Sequence, residues 1–376
     1  MSKLSELYDF EYGKGNNNPD NGGQYPIYGS NGIIGGYTEY NSVDSPVIGH
    51  IGANCGEVVF GKGKHFVTYN GIICKCKEGI DQKFAYYTLL NCKLKDRVRG
   101  SAQPFISYDL LNRVNVRIPN LNEQKEIGDI LSNIDDLINE NKKRIANYYD
   151  CANTIYNYWF NQFEFPKNNL PYKSNGGKFK FDDLIKKEIP INWNVEFLPD
   201  AMDVLYGYPF DTERFCEKND GIPVVRIRDI LENNTSAFTK EKVDNKYLSR
   251  NKDLLIGMDG NFHMNFWYRN GDLINQRITI VRKKKISPLL AYLQIKPFIN
   301  AREVNVARST VGHLSDKDIK QLKILIPDDD EINNYFDLIL DNICSIQMEN
   351  EKLNLLRQFL MPILISGHFV LNEIKN

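Results

Sequence analysis

The chain has 376 residues, 42% of them hydrophobic and 25% charged, an ordinary globular composition that excludes a disordered polymer. That length exceeds the usual single domain, so two domains with connecting elements are expected. The seven cysteines are scattered and odd in number, no apolar run reaches membrane-spanning length, and no signal peptide opens the chain. The expectation is a reducing cytoplasm, with most thiols acting as small buried apolar groups.

The net charge of −1 conceals an alternation. Residues 1–118 carry +2, residues 119–166 carry −4, residues 167–327 carry +7 and residues 328–376 carry −6. Two mildly basic blocks are each followed by an acidic one, an asymmetry that asks for a reason.

The first block, 1–118, is rich in short β-like runs such as Pro46-Val47-Ile48-Gly49, Val58-Val59-Phe60 and Gly71-Ile72-Ile73, punctuated by glycine. After Pro119 the apolar period changes from two to helical: Ile127, Ile130, Leu131, Ile134, Leu137, Ile138 and Ile145 follow three-four spacing over 119–165. Residues 166–190, beginning Pro166-Lys-Asn-Asn-Leu-Pro171, read as a polar, turn-forming linker. The second block, 191–327, has β-like runs at Ile222–Ile227, Asp253–Ile256 and Arg277–Val281. Residues 328–376 are again helical in period, with Phe336, Ile339, Leu340, Ile343, Ile346 and Leu353 on one stripe. The acidic run Asp328–Glu331 stands at the N-terminus of that helix, where its dipole favours negative charge.

The blocks repeat one another. Residues 105–119 recur as 313–327, with Ser107 against Ser315, Val116 against Ile324 and Pro119 against Pro327. Leu4 to Gly13 matches Leu198 to Gly207, Tyr25-Pro26-Ile27 matches Ile222-Pro223-Val224, and Val47-Ile48-Gly49 matches Leu255-Ile256-Gly257. Asn70 answers Asn275 and Tyr87 answers Tyr292. The expected fold is α+β: two domains built on twisted β-sheets, separated by two long helices that pair as an antiparallel coiled coil about a pseudo-twofold repeat. Ile127, Ile134, Phe336 and Ile343 would line the seam, with Asn141 and Asn350 at matching positions, where a buried polar residue fixes register.

The duplicated stretches resemble the specificity subunits of type I restriction–modification systems over nearly the whole chain. The resemblance is carried by Gln24–Ile34, by Val47–Val59, by Gly100–Ser107 running into Pro119, and by Ser309–Ser315 running into Pro327. It implies two target-recognition domains, each reading half of a split double-stranded DNA site. It also implies helices that space the halves and hold two methyltransferase subunits, with nuclease/translocase subunits joining that core. The sequence departs from the family pattern in having Glu331-Ile332 where the first copy has Glu123-Gln124. A competing reading is a coiled-coil adaptor that bridges partners other than nucleic acid.

Basic side chains neutralise phosphates, while arginine, asparagine and glutamine read base edges. The DNA-binding candidates are Tyr28, Asn31, Lys62, Lys64, Arg97, Arg99 and Gln103 in the first domain. In the second they are Arg226, Arg228, Asn261, Arg277, Arg302 and Arg308. Tyr156, Trp159 and Phe160 form an aromatic cluster expected to dock a partner.

Catalytic machinery is not apparent. Gly13-Lys-Gly15 and Gly61-Lys-Gly63 fall short of a phosphate-binding loop, and no Asn/Asp-Pro-Pro-Tyr/Phe stretch marks an amino-methyltransferase. Cys74-Lys-Cys76 lacks a second Cys/His pair, and the five histidines show no metal-binding spacing. No catalytic residue, metal, cofactor or membrane partner is expected. The isolated chain should therefore transfer no labelled methyl group to DNA and cut neither strand; partner-free methylation would refute this.

Overall fold

The two blocks that share an order of sequence markers fold into the same order of elements. The computed structural model describes residues 2–15, 20–30, 32–98, 104–306 and 312–367, with residues 219, 305 and 306 as backbone only. The chain divides into two compact units, Met1–Asn139 with Lys352–Asn376, and Glu140–Glu351. Each unit holds one of the two repeated blocks and about half of each long helix. The domain boundaries expected from sequence kept those helices apart from the domains.

In the first unit the strands are β1 (Ser2–Lys3), β2 (Tyr8–Tyr12), β3 (Tyr25–Gly29), β4 (Gly32–Tyr37), β5 (Ser42–Gly49), β6 (Val58–Val67), β7 (Gly71–Cys76) and β8 (Asn115–Val116). Helices α1 (Gln82–Asn91) and α2 (Tyr108–Arg113) precede the long α3 (Leu121–Tyr156). Strands order as β2-β7-β5-β6-β3-β4, antiparallel except where β3 runs parallel to β6.

The second unit begins with two hairpins, β9 (Pro166–Lys167) with β10 (Leu170–Pro171) and β11 (Phe179–Asp182) with β12 (Lys187–Pro190). The stretch expected to be a linker is thus folded onto its domain. Ile189 is fully buried, and Phe165 stacks on both Tyr172 and Trp193 at 4.6 Å. Polar composition concealed this, because the anchoring aromatics are spaced singly among lysines and asparagines.

Then follow β13 (Asn194–Phe197), α4 (Leu198–Ala201), β14 (Met202–Tyr206), β15 (Phe215–Cys216), β16 (Ile222–Val225), β17 (Ala237–Thr239), β18 (Asp253–Gly257), β19 (Met264–Trp267), β20 (Leu273–Ile274) and β21 (Ile278–Lys283). Helices α5 (Pro288–Val306) and α6 (Asp316–Lys320), strand β22 (Lys323–Ile326) and the long α7 (Asp330–Ser366) complete the chain. The sheet order β14-β21-β18-β19 reproduces β2-β7-β5-β6, and the parallel pair β16·β20 reproduces β3·β6. One difference is local: the single ten-residue β6 is replaced by β19 and β20. The chain between them turns through Gly271 at φ +89, and Asp272 accepts the indole N–H of Trp267 at 2.8 Å.

Register settles which residues are equivalent. Gly13 and Gly207 both lie against the turn that enters the next strand, and a Cβ there would meet Thr68 O or Asn275 O at 2.1 Å. Asn275 therefore corresponds to Thr68, and Asn70 corresponds to Arg277, a correction of the Asn70–Asn275 match. Tyr292 corresponds to Tyr86 and not to Tyr87: Tyr86 packs on Phe60 at 5.3 Å and Tyr292 on Phe266 at 5.4 Å. The serine match marks a shared cap, since Ser107 Oγ accepts from Leu110 N and Ser315 Oγ from Asp318 N.

The amphipathic stripes of the long helices finish the domain cores. Ile127 and Leu131 of α3 and Leu364 and Ile365 of α7 join the cluster of Leu4, Ile48, Ile72 and Phe84. Phe160, together with Ile332, Phe336 and Ile343 of α7, joins that of Trp193, Leu254, Phe266 and Leu289. A buried amide orients each helix at its start. Gln124 accepts the backbone N–H of Asp81 at 2.9 Å and donates to Pro119 O at 2.9 Å. Asn333 accepts the N–H of Ser287 at 3.3 Å. Asp81 and Ser287 occupy the same place before α1 and α5, so Asn333 takes the part of Gln124, and the apparent departure at Glu331-Ile332 is a shift of register. Among the described residues no helix is long and apolar enough to cross a membrane.

Gln124→Ala would leave the part-buried Asp81 N–H and Pro119 carbonyl without this partner. A loss of about 1–3 kcal/mol is expected. Urea unfolding of the full chain measures it, with exposed Gln358→Ala shifting stability by under about 0.5 kcal/mol.

Candidate nucleic-acid interface

One end of each sheet, where β5 and β18 run out, carries exposed polar groups on a fixed backbone. In the second domain the turn Asn275-Gln276-Arg277 is held on three sides. Ile278 N donates to Asn275 O at 3.0 Å, Gln276 N to Tyr208 O at 3.0 Å, and Met258 N to Arg277 O at 3.0 Å. Two residues past β18, Asp259 forms an antiparallel bridge with His313. Their side chains also meet: Asp259 Oδ1 lies 2.7 Å from His313 Nδ1, and its Oδ2 lies 3.2 Å from Arg277 Nε. Asn261 and Arg228 are exposed beside them. A Cβ on Gly257 would lie 3.1 Å from Ile227 Cγ2 and 3.4 Å from Asn261 O, which places both segments at this end.

The first domain keeps the backbone and changes the chemistry. His50 N donates to Asn70 O at 2.8 Å, and Ile51 bridges Phe105. Around it Tyr12 stacks on Tyr108 at 4.1 Å and lies 4.6 Å from His50, whose ring faces exposed Tyr69. Burial pushes the His50 imidazole below the usual histidine range, so it is neutral here at neutral pH. Arg97 donates from Nε to Cys92 O at 2.9 Å and shares a cavity of about 250 Å³ with Phe105 and Arg113.

The remaining candidates divide by what already engages them. Arg226 is tied to Asp229 at 3.0 Å and Ser236 at 2.9 Å, closing a turn rather than facing solvent. Arg302 lies 3.5 Å from Asp318. Tyr28 is buried against His65, and Lys64 lies over the Tyr40 ring at 4.6 Å. Lys62 is exposed, but with Lys64 it belongs to the opposite end of β5, as the pairings Ser45↔Gly61 and Val43↔Lys64 require. Asn31, Arg99, Gln103 and Arg308 lie outside the described residues. Asp259 and His313 were missed as site residues because an acidic group is no obvious DNA contact. Repeat register could have found them: His313 is matched to Phe105, and Asp259 stands two residues after matched Gly257.

On the helices, Ile127, Ile134, Phe336 and Ile343 are all buried. Within the second unit Asn141 donates to Asn350 Oδ1 at 3.0 Å and accepts from Arg144 at 3.1 Å. Within the first, Asp135 accepts from Tyr87 OH at 2.6 Å and pairs with Arg357. In the first unit 135 meets 357 while Ile127 and Leu131 cluster with Leu364 and Ile365, and in the second 141 meets 350 while Trp159 meets Tyr335, so in each unit the helix halves run antiparallel.

A family model described as the type I restriction modification DNA specificity domain matches residues 1–147 and 190–358. The chain belongs to that family. Both of its recognition domains are therefore type I DNA specificity domains, and the family match covers the same two blocks as the internal repeat. Similar proteins include the type I restriction enzyme EcoBI specificity subunit of Escherichia coli, 27% identical over 182 residues, covering 47% of this chain and 38% of that relative. The MjaIX specificity subunit of Methanocaldococcus jannaschii is 24% identical over 319 residues, covering 79% of this chain and 71% of its own. The crystal structure of a type I restriction-modification S subunit from M. genitalium aligns over 96% of this chain and 95% of its own, with a TM-score of 0.53 at 16% identity. That likeness is one of fold.

The aromatic cluster of this specificity-domain chain is largely internal. Phe160 is only 4% exposed, stacked on Tyr156 at 5.2 Å and packed on Trp193 at 4.8 Å, so it cannot dock a partner. Trp159 lies 5.2 Å from Tyr335 and 6.1 Å from Phe336, and Tyr156 is half-buried. The sequence showed more aromatics than one helix seam could bury, but Trp193 and the start of α7 cover them. Trp159→Ala should lower stability by roughly 2–3 kcal/mol, read as a shift in the urea midpoint.

Proposed function

We propose that this chain is the non-catalytic specificity subunit of a type I restriction–modification assembly, acting on double-stranded DNA in the cytoplasm. Each recognition domain reads one half of a bipartite site through the sheet end that carries Asn70 or Arg277. The paired helices set the distance between halves and dock two methyltransferase subunits, with nuclease/translocase subunits completing the complex.

The observation that carries this reading is the repeat with altered side chains: two copies of one backbone frame present different polar groups at the same exposed place. An adaptor for two identical partners would keep those side chains alike, whereas a reader of two unlike half-sites must vary them. Affinity would come largely from phosphate contacts, so binding should weaken steeply with salt. The modest +7 of residues 167–327 leaves part of that contact to partner subunits.

The spacing function has a direct test. Helix α3 has 36 residues, about 54 Å at roughly 1.5 Å per residue, against about 34 Å for one DNA turn. Because the helices run antiparallel, insertions must face one another to keep the pairs 135–357 and 141–350. Four residues placed between Ile138 and Asn141, with four between Asn350 and Asn354, lengthen both helices by about 6 Å. The expected outcome, read from methylated sites across the genome, is unchanged half-site sequences with a spacer longer by one or two base pairs. An active variant that keeps its original spacer would show that the helices are not the ruler.

A further inference from the structure

We propose that Arg277 reads a guanine in the half-site of the second domain, with Asp259 and His313 holding its guanidinium in the reading position. This inference rests on the functional reading above and assigns a base to it.

The geometry begins with the backbone. Arg277 enters β21 with its carbonyl fixed to Met258 N at 3.0 Å, so its Cα has little freedom. Its side chain is 55% exposed. Asp259 meets it at Nε, and the other oxygen of the same carboxylate is held by His313. The imidazole thus holds the carboxylate, and the carboxylate keeps the guanidinium beside it by charge, as an ion pair.

What Asp259 leaves open decides the case. Arg226, Arg269 and Arg282 of the same domain also present Nε to an aspartate, yet each uses its terminal nitrogens as well. Arg226 Nη2 bonds Ser236 at 2.9 Å, and Arg269 Nη1 bonds Glu351 at 2.9 Å. Arg282 Nη2 bonds Asp253 at 2.7 Å in a pair that is almost wholly buried. Those arginines hold the fold together. Arg277 makes no side-chain hydrogen bond to any described residue, and an exposed ion pair of this kind adds little to stability. The parallel N–H donors this leaves open match the O6 and N7 acceptors of guanine in the major groove. A lysine at this place could supply charge but no fork.

The first domain makes the same point by contrast. The backbone contacts that place Asp259, Arg277 and His313 recur at Ile51, Asn70 and Phe105, and none of those three side chains is charged. The frame is constant while all three side chains change together, as expected where two domains read different bases.

The test uses the chain with its partner subunits, comparing wild type, R277K and D259N by methylated-site mapping. Affinity for duplexes differing at single base pairs is measured over a range of salt. Wild type should show a required guanine in one half-site, its replacement weakening binding on the order of 10-fold to 100-fold. R277K should relax that position alone, leave the other half-site intact and keep the salt dependence, since the charge is retained. D259N should relax the same position to a smaller degree. A site map for R277K identical to wild type, equal changes in both half-sites, or uniform weakening on all sequences would overturn the assignment. A wild-type assembly that reads no bipartite site would bring down the functional reading, and this inference with it.

Discussion

Neither recognition domain closes its own core. The first needs Ile127 and Leu131 from one helix and Leu364 and Ile365 from the other; the second needs Phe160 from the chain just after α3, and Phe336 and Ile343 from α7. A fully buried side chain of this size contributes about 1.5–3 kcal/mol. Four such residues amount to a large share of a domain's net stability. The helices are therefore structural members of both domains, which explains why the compact units cut across them instead of setting them apart.

Apolar burial alone does not fix register, because an isoleucine stripe slides with little penalty from one turn to the next. Polar contacts supply the fixed points. Gln124 and Asn333 tie each helix start to the backbone before α1 or α5. Asn141 with Asn350, and Asp135 between Tyr87 and Arg357, allow one pairing only. Tyr87 shows how firmly the last is set: burial and the adjacent carboxylate both push its hydroxyl well above the usual range, so it remains a donor at any physiological pH. With the frame held this way, the sheet ends can differ in chemistry without differing in shape.

Much of that frame was legible in the sequence, because it depends on residues with few substitutes. Gly13 and Gly207 stand where a Cβ has no room, Ser107 and Ser315 cap helices, and the three-four spacing exposed both long helices. Matching by residue type failed where neighbours look alike. Asn70 was set against Asn275 although the turn places it opposite Arg277, and of the adjacent Tyr86 and Tyr87 the wrong ring was chosen. The expected linker concealed Ile189, a single anchor in polar surroundings. At the sheet end Arg277 was visible as a basic residue. Its orientation by Asp259 was not, since that contact joins positions 18 residues apart through a bridge to His313.

Each repeated block is closed by pairing its first strand with its last: Ser2 and Lys3 lie beside Val116 and Asn115, and Asn194 to Phe197 lie beside Ile326 to Lys323. Entry and exit thus share one short ladder, directly before a helix whose start is clasped by a single amide. What lies between those strands meets the long helices at Asp81 and Ser287, which the two amides hold, and along the apolar face that the helix stripes complete. A segment exchanged at those two ladders would therefore fit only if it carried the same clasped backbone and the same apolar face.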